Sequence, residues 1–325
     1  MTFRIAHVGA GAWSRQVHGP ALHRLAQCSL VALEAICDLQ LDRAREFRDR
    51  FHYRIATDNL REMLETARLD AIVCTVEPSA TAALVRSLLP LRIPLFIEKP
   101  PGICLQEAKE LAVASEAADA FTFVAFNRRF IPSIVRLKKW TTRNTVRFAR
   151  AEMLRTNRLE RDFAIGTGIH VFDAIRFLMG HPEYIEVKRR AHDDATAWDY
   201  SVRFDFSNSV VAEISLMLNT GLRQESYYLG AAGASAEAAL GPAYSSKFCF
   251  QGDRQWSGES VTELNPLVDD PLVDDGILGE YEEFFGLLAK GLRSTCSLTD
   301  AALSMQLAEA VQNNYSGPLP PLTLM

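Results

Sequence analysis

Two residues of this sequence have the chemistry to manage the proton of an alcohol. Lys99 stands in Phe96-Ile97-Glu98-Lys99-Pro100-Pro101, at the end of a short apolar run. An ammonium there can hold a hydroxyl and favour its deprotonation. His170 stands in Gly168-Ile169-His170-Val171-Phe172-Asp173, at the opening of a helix-like segment that Gly180 ends. In the first turn of a helix the dipole disfavours imidazolium, which leaves a neutral base. Oxidation of an alcohol needs such a base to take the hydroxyl proton while hydride leaves the same carbon. Read singly, Lys99 is equally a surface lysine before a proline turn, and His170 a hydrogen-bonded structural histidine. Asp173 shares a face with His170, but it is as well placed to pair with Arg176 and stays outside the catalytic set.

A hydride needs an acceptor. Ile5-Ala6-His7-Val8-Gly9-Ala10-Gly11-Ala12-Trp13-Ser14 runs from an apolar strand through a glycine turn into a helix. Gly9 permits the sharp turn, and Gly11 lets a diphosphate approach the backbone at a helix N-terminus. The third glycine of G-x-G-x-x-G is replaced by Ser14, small enough to keep helix and strand close. Asp38 ends the second apolar run, where a carboxylate can bond both ribose hydroxyls. No cation follows directly, since Arg43 and Arg45 lie further on, in a helix. NAD is therefore expected and NADP is disfavoured. The expected cofactor contacts are Gly9, Gly11, Ala12, Trp13, Asp38, Thr75, Glu98 and Lys99. Arg128, Arg129, Arg155, Arg158 and Arg161 are candidates for an anionic group on the substrate. Of these, Arg129 and Arg155 join Lys99 and His170 as the expected substrate contacts.

The elements that must position these groups follow from the apolar pattern. Strand-like runs at Phe3–Val8, Leu30–Cys37, Ala71–Val76, Pro94–Ile97 and Phe121–Ala125 alternate with helices, which predicts a doubly wound parallel sheet over residues 1–126. Gly19-Pro20 predicts a kink or a short first turn. Thr57-Asp58 is expected to cap the helix 59–66. From residue 127 strands follow one another, at Thr145–Arg155, Tyr184–Ala191, Trp198–Phe206, Ser209–Asn219 and Glu225–Ala231. That order predicts an α+β domain over 127–325 with a largely antiparallel sheet; its C-terminal helices are free to pack back on the first domain. Val210–Leu218 is apolar at nearly every position, so both its faces are expected to be covered, one of them by another subunit. Asp269–Asp275 reads as an acidic loop.

These motifs, in this order, resemble the glucose–fructose oxidoreductase/inositol dehydrogenase (Gfo/Idh/MocA) family nearly end to end. The resemblance rests on Val8-Gly9-Ala10-Gly11, Ala35-Ile36-Cys37-Asp38, Glu98-Lys99-Pro100, Arg129-Phe130-Ile131-Pro132, Gly168 to Asp173 and Gly276-Ile277-Leu278-Gly279-Glu280-Tyr281. It implies a Rossmann domain followed by an open-faced sheet used for oligomerisation. It also implies a nicotinamide cofactor, a sugar-like or inositol-like substrate, and Lys99 and His170 at the catalytic lysine and histidine positions. Gly166 departs from the family, which commonly carries an aspartate there. Ala82 departs too, where the family carries a histidine.

Composition sets the outer limits. A formal net charge of −5 over 325 residues argues against nucleic acid or an anionic membrane as partner. No apolar run has transmembrane length, and Met1–Gly9 reads as a strand rather than a signal peptide. Six scattered cysteines without C-x-x-C spacing suggest free thiols in a reducing cytoplasm and no metal site. The expectation is thus a cytoplasmic NAD-dependent oxidoreductase acting on a small polyhydroxylated molecule, assembled as a homodimer or homotetramer. The alternative is a non-catalytic dinucleotide sensor on the same fold, which Gly166 favours and retention of Lys99 and His170 disfavours.

Overall fold

The computed structural model describes residues 1–192, 196–207, 209–241, 245–250, 256–260 and 270–324. Two compact units emerge. One consists chiefly of Met1–Phe126 with Ile277–Ala302, the other of Asn127–Gly276 with Leu303–Thr323.

The first unit is built on β1 (Phe3–Val8), β2 (Val31–Cys37), β3 (Ile55–Thr57), β4 (Ala71–Cys74), β5 (Leu95–Glu98) and β6 (Thr122–Ala125). They form one sheet in the order β3-β2-β1-β4-β5-β6, every pair parallel. This is the doubly wound Rossmann arrangement. The chain reverses direction across the sheet between β1 and β4, where such folds open a ligand crevice. The short β3 lies just before the segment expected to cap the next helix. The cap itself is Asn59, whose side chain accepts from the Glu62 N–H at 3.1 Å, while Thr57 Oγ1 accepts from the Asn59 N–H at 3.0 Å.

The helix after the glycine turn does not break at Gly19-Pro20. Instead Ser14–His18 takes a π turn that runs straight into Gly19–Gln27, and the Gly19 N–H reaches back five residues to the Ser14 carbonyl. Pro20 has no N–H to offer Gln16, and the π turn ends just before it, so Pro20 stands in the first turn of Gly19–Gln27. Helix Ile277–Lys290 completes this unit. Its Tyr281 stacks on Phe96 (ring centroids 4.3 Å) and its Phe285 on Phe3 (5.2 Å). All four rings are buried.

The second unit carries β7 (Val146–Leu154), β8 (Tyr184–Ala191), β9 (Trp198–Asp205), β10 (Val211–Met217), β11 (Gln224–Ala231), β12 (Ala234–Leu240), β13 (Ser245–Phe250), β14 (Ser257–Ser260) and β15 (Gly317–Pro318). Among the described residues they form one nine-stranded sheet, β14-β13-β12-β11-β7-β10-β9-β8-β15. It is antiparallel except where β7 meets β10. Helices Pro132–Thr141 and Ile169–Met179 pack on one face.

Strand β10 has one face covered by its own chain. Within one chain it alternates: Ala212, Ile214 and Leu216 are buried, whereas Val211, Ser215 and Met217 are half-buried and Glu213 is exposed. The acidic segment is not a simple loop, because Asp270 caps a short helix, Pro271–Asp274; Asp269 lies outside the described residues. Among the described residues, no helix is long and apolar enough to cross a membrane, and no group of three or more His, Cys, Asp or Glu side chains could hold a metal ion.

Candidate functional site

The glycine turn is held by its neighbours, so its geometry is built in. Gly9 has φ +104°, and a Cβ there would stand 2.5 Å from the Thr75 carbonyl oxygen. Only glycine meets both conditions. A Cβ on Gly11 would meet nothing within 4 Å, so that backbone faces open space. Beneath the turn lies a buried polar chain. Thr75 Oγ1 is 2.6 Å from Ser14 Oγ and 2.7 Å from His7 Nε2, and His7 Nδ1 is 3.3 Å from the Tyr53 hydroxyl. Ser14 therefore keeps the close helix–strand contact and adds a hydrogen bond to it. Burial, reinforced by nearby His18, pushes the His7 pKa well below its usual value, so this imidazole is neutral.

Asp38 follows β2 directly. Its carboxylate accepts from the Ala10 N–H at 2.7 Å and from the Gln40 N–H at 2.9 Å. These two bonds tie the acid to the glycine turn and leave each oxygen a lone pair. Gly9, Gly11, Asp38 and Thr75 line one cleft of about 350 Å³, together with Arg43, Asp58 and Leu84. Arg43 was expected to lie away from this site; it stands on the cleft wall because the helix Leu41–Phe51 starts beside the acid. Cys37 lines the cleft as a protonated thiol, its pKa pushed up to about 11 by burial and by the Asp38 and Asp58 charges.

Glu98 ends β5, and Lys99 follows through a cis peptide to Pro100. Glu98 Oε1 accepts from the Trp13 indole N–H at 2.8 Å and lies 2.9 Å from His18 Nε2. His18 Nδ1 in turn lies 2.7 Å from the Tyr281 hydroxyl. Burial alone would raise the Glu98 pKa. The hydrogen bond and charge of His18, the Lys99 ammonium and the Trp13 N–H together outweigh it and hold the carboxyl below its ordinary range. Burial and neighbouring carboxylates push the Tyr281 phenol well up, so it keeps its proton. Nδ1 bonds this hydroxyl and Nε2 bonds Glu98, so both ring nitrogens of His18 are engaged. The structure thus joins Trp13 and Glu98 in one cluster and Gly9, Gly11, Asp38 and Thr75 in another. Ala12, exposed, opens the helix between them.

In the second unit His170 is buried, but it is not in a first helical turn. A π turn, Ala164–Gly168, leads unbroken into Ile169–Met179. The dipole fades within one turn of the helix end, so the electrostatic argument made from sequence for a neutral His170 does not apply. Gly166 lies within that π turn, and a Cβ there would meet nothing within 4 Å.

The arginines are largely engaged with acids. Arg129, expected to contact substrate, forks onto Asp173 at 2.8 and 2.5 Å, and Ser304 donates to the same carboxylate at 2.7 Å. Arg155, with the same expectation, donates to Glu225 at 2.6 Å and to the Leu154 and Gln224 carbonyls. Arg128 donates to Glu225 from Nε and Nη2, at 3.3 and 3.1 Å. Arg158 bonds Glu160 and Thr167, and Arg161 is exposed. These pairings account for the burial of Arg129 and Arg155 without a ligand. Arg128 and Arg155 still border a second cleft of about 350 Å³, with Arg223, Asp274 and Asp275.

Sequence reasoning did not find His18, Tyr281, His7 or Tyr53. His7 and Tyr281 lie within quoted motifs, but the partners that give them a role are distant in the chain, as far as 263 positions from His18 to Tyr281.

The model of an oxidoreductase family with an NAD-binding Rossmann fold, GFO_IDH_MocA, matches residues 3–126. That segment, less than half of the chain, is similar to the Gfo/Idh/MocA family. Myo-inositol 2-dehydrogenase of Thermotoga maritima is 26% identical over 160 residues, 46% of this chain and 47% of that protein. The match thus spans about half the length of that curated relative. The fold extends over the whole chain. A dehydrogenase from Chromobacterium violaceum superposes with a TM-score of 0.86 at 20% identity, covering 97% of this chain and 95% of that one. A levoglucosan dehydrogenase solved with NADH gives 0.85 at 14% identity, covering 99% and 100%.

Proposed function

We propose that this protein is an NAD-dependent oxidoreductase acting on the CH–OH group of a small, sugar-like or polyhydroxylated molecule. The observation that carries the reading is the single cleft shared by the glycine turn and Asp38. Its residues fit a dinucleotide: Gly9 admits no side chain, Gly11 offers open backbone, and Asp38 keeps acceptor capacity for ribose hydroxyls. When bound, the nicotinamide ring accepts or returns the hydride. Lys99 holds the substrate hydroxyl and favours its ionisation, and His170 accepts the proton. Lys99 belongs to the first unit and His170 to the second. Asp38, Asp58 and Glu77 on the cleft outnumber Arg43, which supports NAD over NADP.

NAD(H) should bind at least about tenfold more tightly than NADP(H) in calorimetric titrations; equal affinities would remove the role given to Asp38. With a panel of sugars, inositols and sugar acids, nicotinamide absorbance should reveal a substrate. Replacing Lys99 with Met or His170 with Ala should then lower turnover about 10²-fold or more while NAD affinity holds. Gly166 supports a second reading, a dinucleotide sensor without turnover. The open space at its Cβ makes Gly166→Asp the discriminating variant. A gain in turnover favours the enzyme; tight NAD binding with silence across the panel in both proteins favours the sensor.

We also propose that the protein is a homodimer or homotetramer joined through the second-unit sheet, in a reducing cytoplasm. All six cysteines are free thiols. Across neighbouring strands Glu186, Arg203, Glu213, Arg150, Tyr228, Glu237 and Lys247 stand in one register row. None of the seven is buried. The charges alternate in sign, so a second copy laid face to face can oppose unlike charges along the row. Light scattering at micromolar concentration should give an oligomer, and Glu213→Lys with Glu237→Lys should shift it toward monomer.

A further inference from the structure

Trp13 is 51% exposed, yet its ring is fixed. Its N–H donates to Glu98 at 2.8 Å, and the same carboxylate oxygen is held by His18. The His18 ring stands edge-on to the indole, with centroids 6.4 Å apart and planes at 76°. His18 is itself locked between Glu98 and Tyr281, with no exposed surface. The chain order makes this possible. Trp13 comes two residues after Gly11, and the π turn begins at the next residue and carries His18 to the end of β5. A large aromatic ring that only filled space would be buried on both faces. This one is pinned at its polar edge by a buried anion and leaves π surface to solvent beside a dinucleotide-type turn.

The electrostatics of such a ring have a sign. Tryptophan offers the strongest side-chain π face to a cation, and a hydrogen bond from its N–H to a carboxylate draws electron density toward the ring. We propose that the Trp13 indole, held by Glu98 and His18, is the docking face for the cationic pyridinium ring of the oxidised nicotinamide, and so distinguishes oxidised from reduced cofactor. The inference rests on the reading of the glycine turn as a dinucleotide site. The reduced ring is neutral and gains neither the cation–π term nor the attraction of the carboxylate behind the indole. In this scheme Trp13 touches the cofactor. Glu98 and His18 act through Trp13 and are positioning residues.

The test compares dissociation constants for NAD+ and NADH, by calorimetry on the full chain, among wild type, Trp13→Leu, Trp13→Tyr and Glu98→Gln. Trp13→Leu should weaken NAD+ about tenfold and leave NADH within about twofold. Trp13→Tyr, which keeps a π face and a donor, should restore most of the loss. Glu98→Gln should move the ratio the same way by a smaller factor. Saturable quenching of tryptophan emission by NAD+ should be present in wild type and lost in Trp13→Leu. The half-exposed position makes Trp13→Leu a safe variant for folding, checked by its melting temperature. Equal losses for both cofactor forms, or no loss for either, would overturn the proposal. If wild type bound neither form, the dinucleotide site itself would fall and this proposal with it.

Discussion

Glu225 has two arginines and a phenol for neighbours and almost no water. Its side chain is 3% exposed, and Arg128, Arg155 and Tyr227 all donate to it. Burial raises the carboxyl pKa, but the two guanidinium charges and the hydrogen bonds from Arg128 and Tyr227 outweigh it and bring the value to about 2. The unfolded chain titrates this group near its ordinary value of about 4.5. The stability it confers is therefore complete above about 4.5 and is lost as the pH falls from there toward 2. Glu225→Gln should cost about 3–5 kcal/mol at pH 7, the range for breaking a buried pair. The gap to wild type should narrow at pH 3.5, and urea unfolding at the two pH values reads both effects. The arginines were legible in the sequence as a cluster, but their partners were not. Glu225 stands 97 positions from Arg128, and Asp173 stands 44 from Arg129. An acid that far away cannot be told from a ligand carboxylate by spacing, so the acids of the fold that pair with Arg129 and Arg155 were not legible in the sequence.

At the level of elements, the two glycines of the first turn should separate folding from binding. Gly9→Ala puts a Cβ against the Thr75 carbonyl in a conformation that side chains rarely adopt. It should lower stability by about 1–3 kcal/mol. Gly11→Ala meets no protein atom, so its melting temperature should match wild type while NAD affinity drops at least about tenfold. A Gly11→Ala protein that binds NAD normally would mean that no ligand approaches that backbone. Most of the first sheet was readable because its strands are continuous apolar runs. Strand β3 was missed because three residues carry no period, and the π turn before Gly19-Pro20 was missed because sequence gives no sign of it. In the second unit β12, Ala-Ser-Ala-Glu-Ala-Ala-Leu, has a composition that favours helix. Its strand state is imposed by pairing with β11 and β13. Strand β10, an almost unbroken apolar run, alternates in burial within one chain because its own chain covers one face.

For the molecule as a whole, the first unit is discontinuous in the chain. Residues 1–126 carry the family's matched segment and all six strands of the parallel sheet, yet part of the core arrives with Ile277–Ala302. Phe96 is covered by Tyr281, Phe123 packs edge-on against Phe284, and the Val124 N–H donates to the Cys296 carbonyl at 2.7 Å. A protein comprising residues 1–126 alone should lack a cooperative thermal transition and expose apolar surface to a dye such as ANS. Joining 277–302 to it through a flexible linker should restore the transition. During synthesis the same arrangement becomes a matter of time. About 150 residues separate Phe126 from Ile277, and ribosomes add roughly 5–20 residues per second. The nascent sheet therefore waits roughly 8 to 30 seconds with the Phe3, Phe96 and Phe123 rings uncovered, long enough for a chaperone to bind or for two nascent chains to meet.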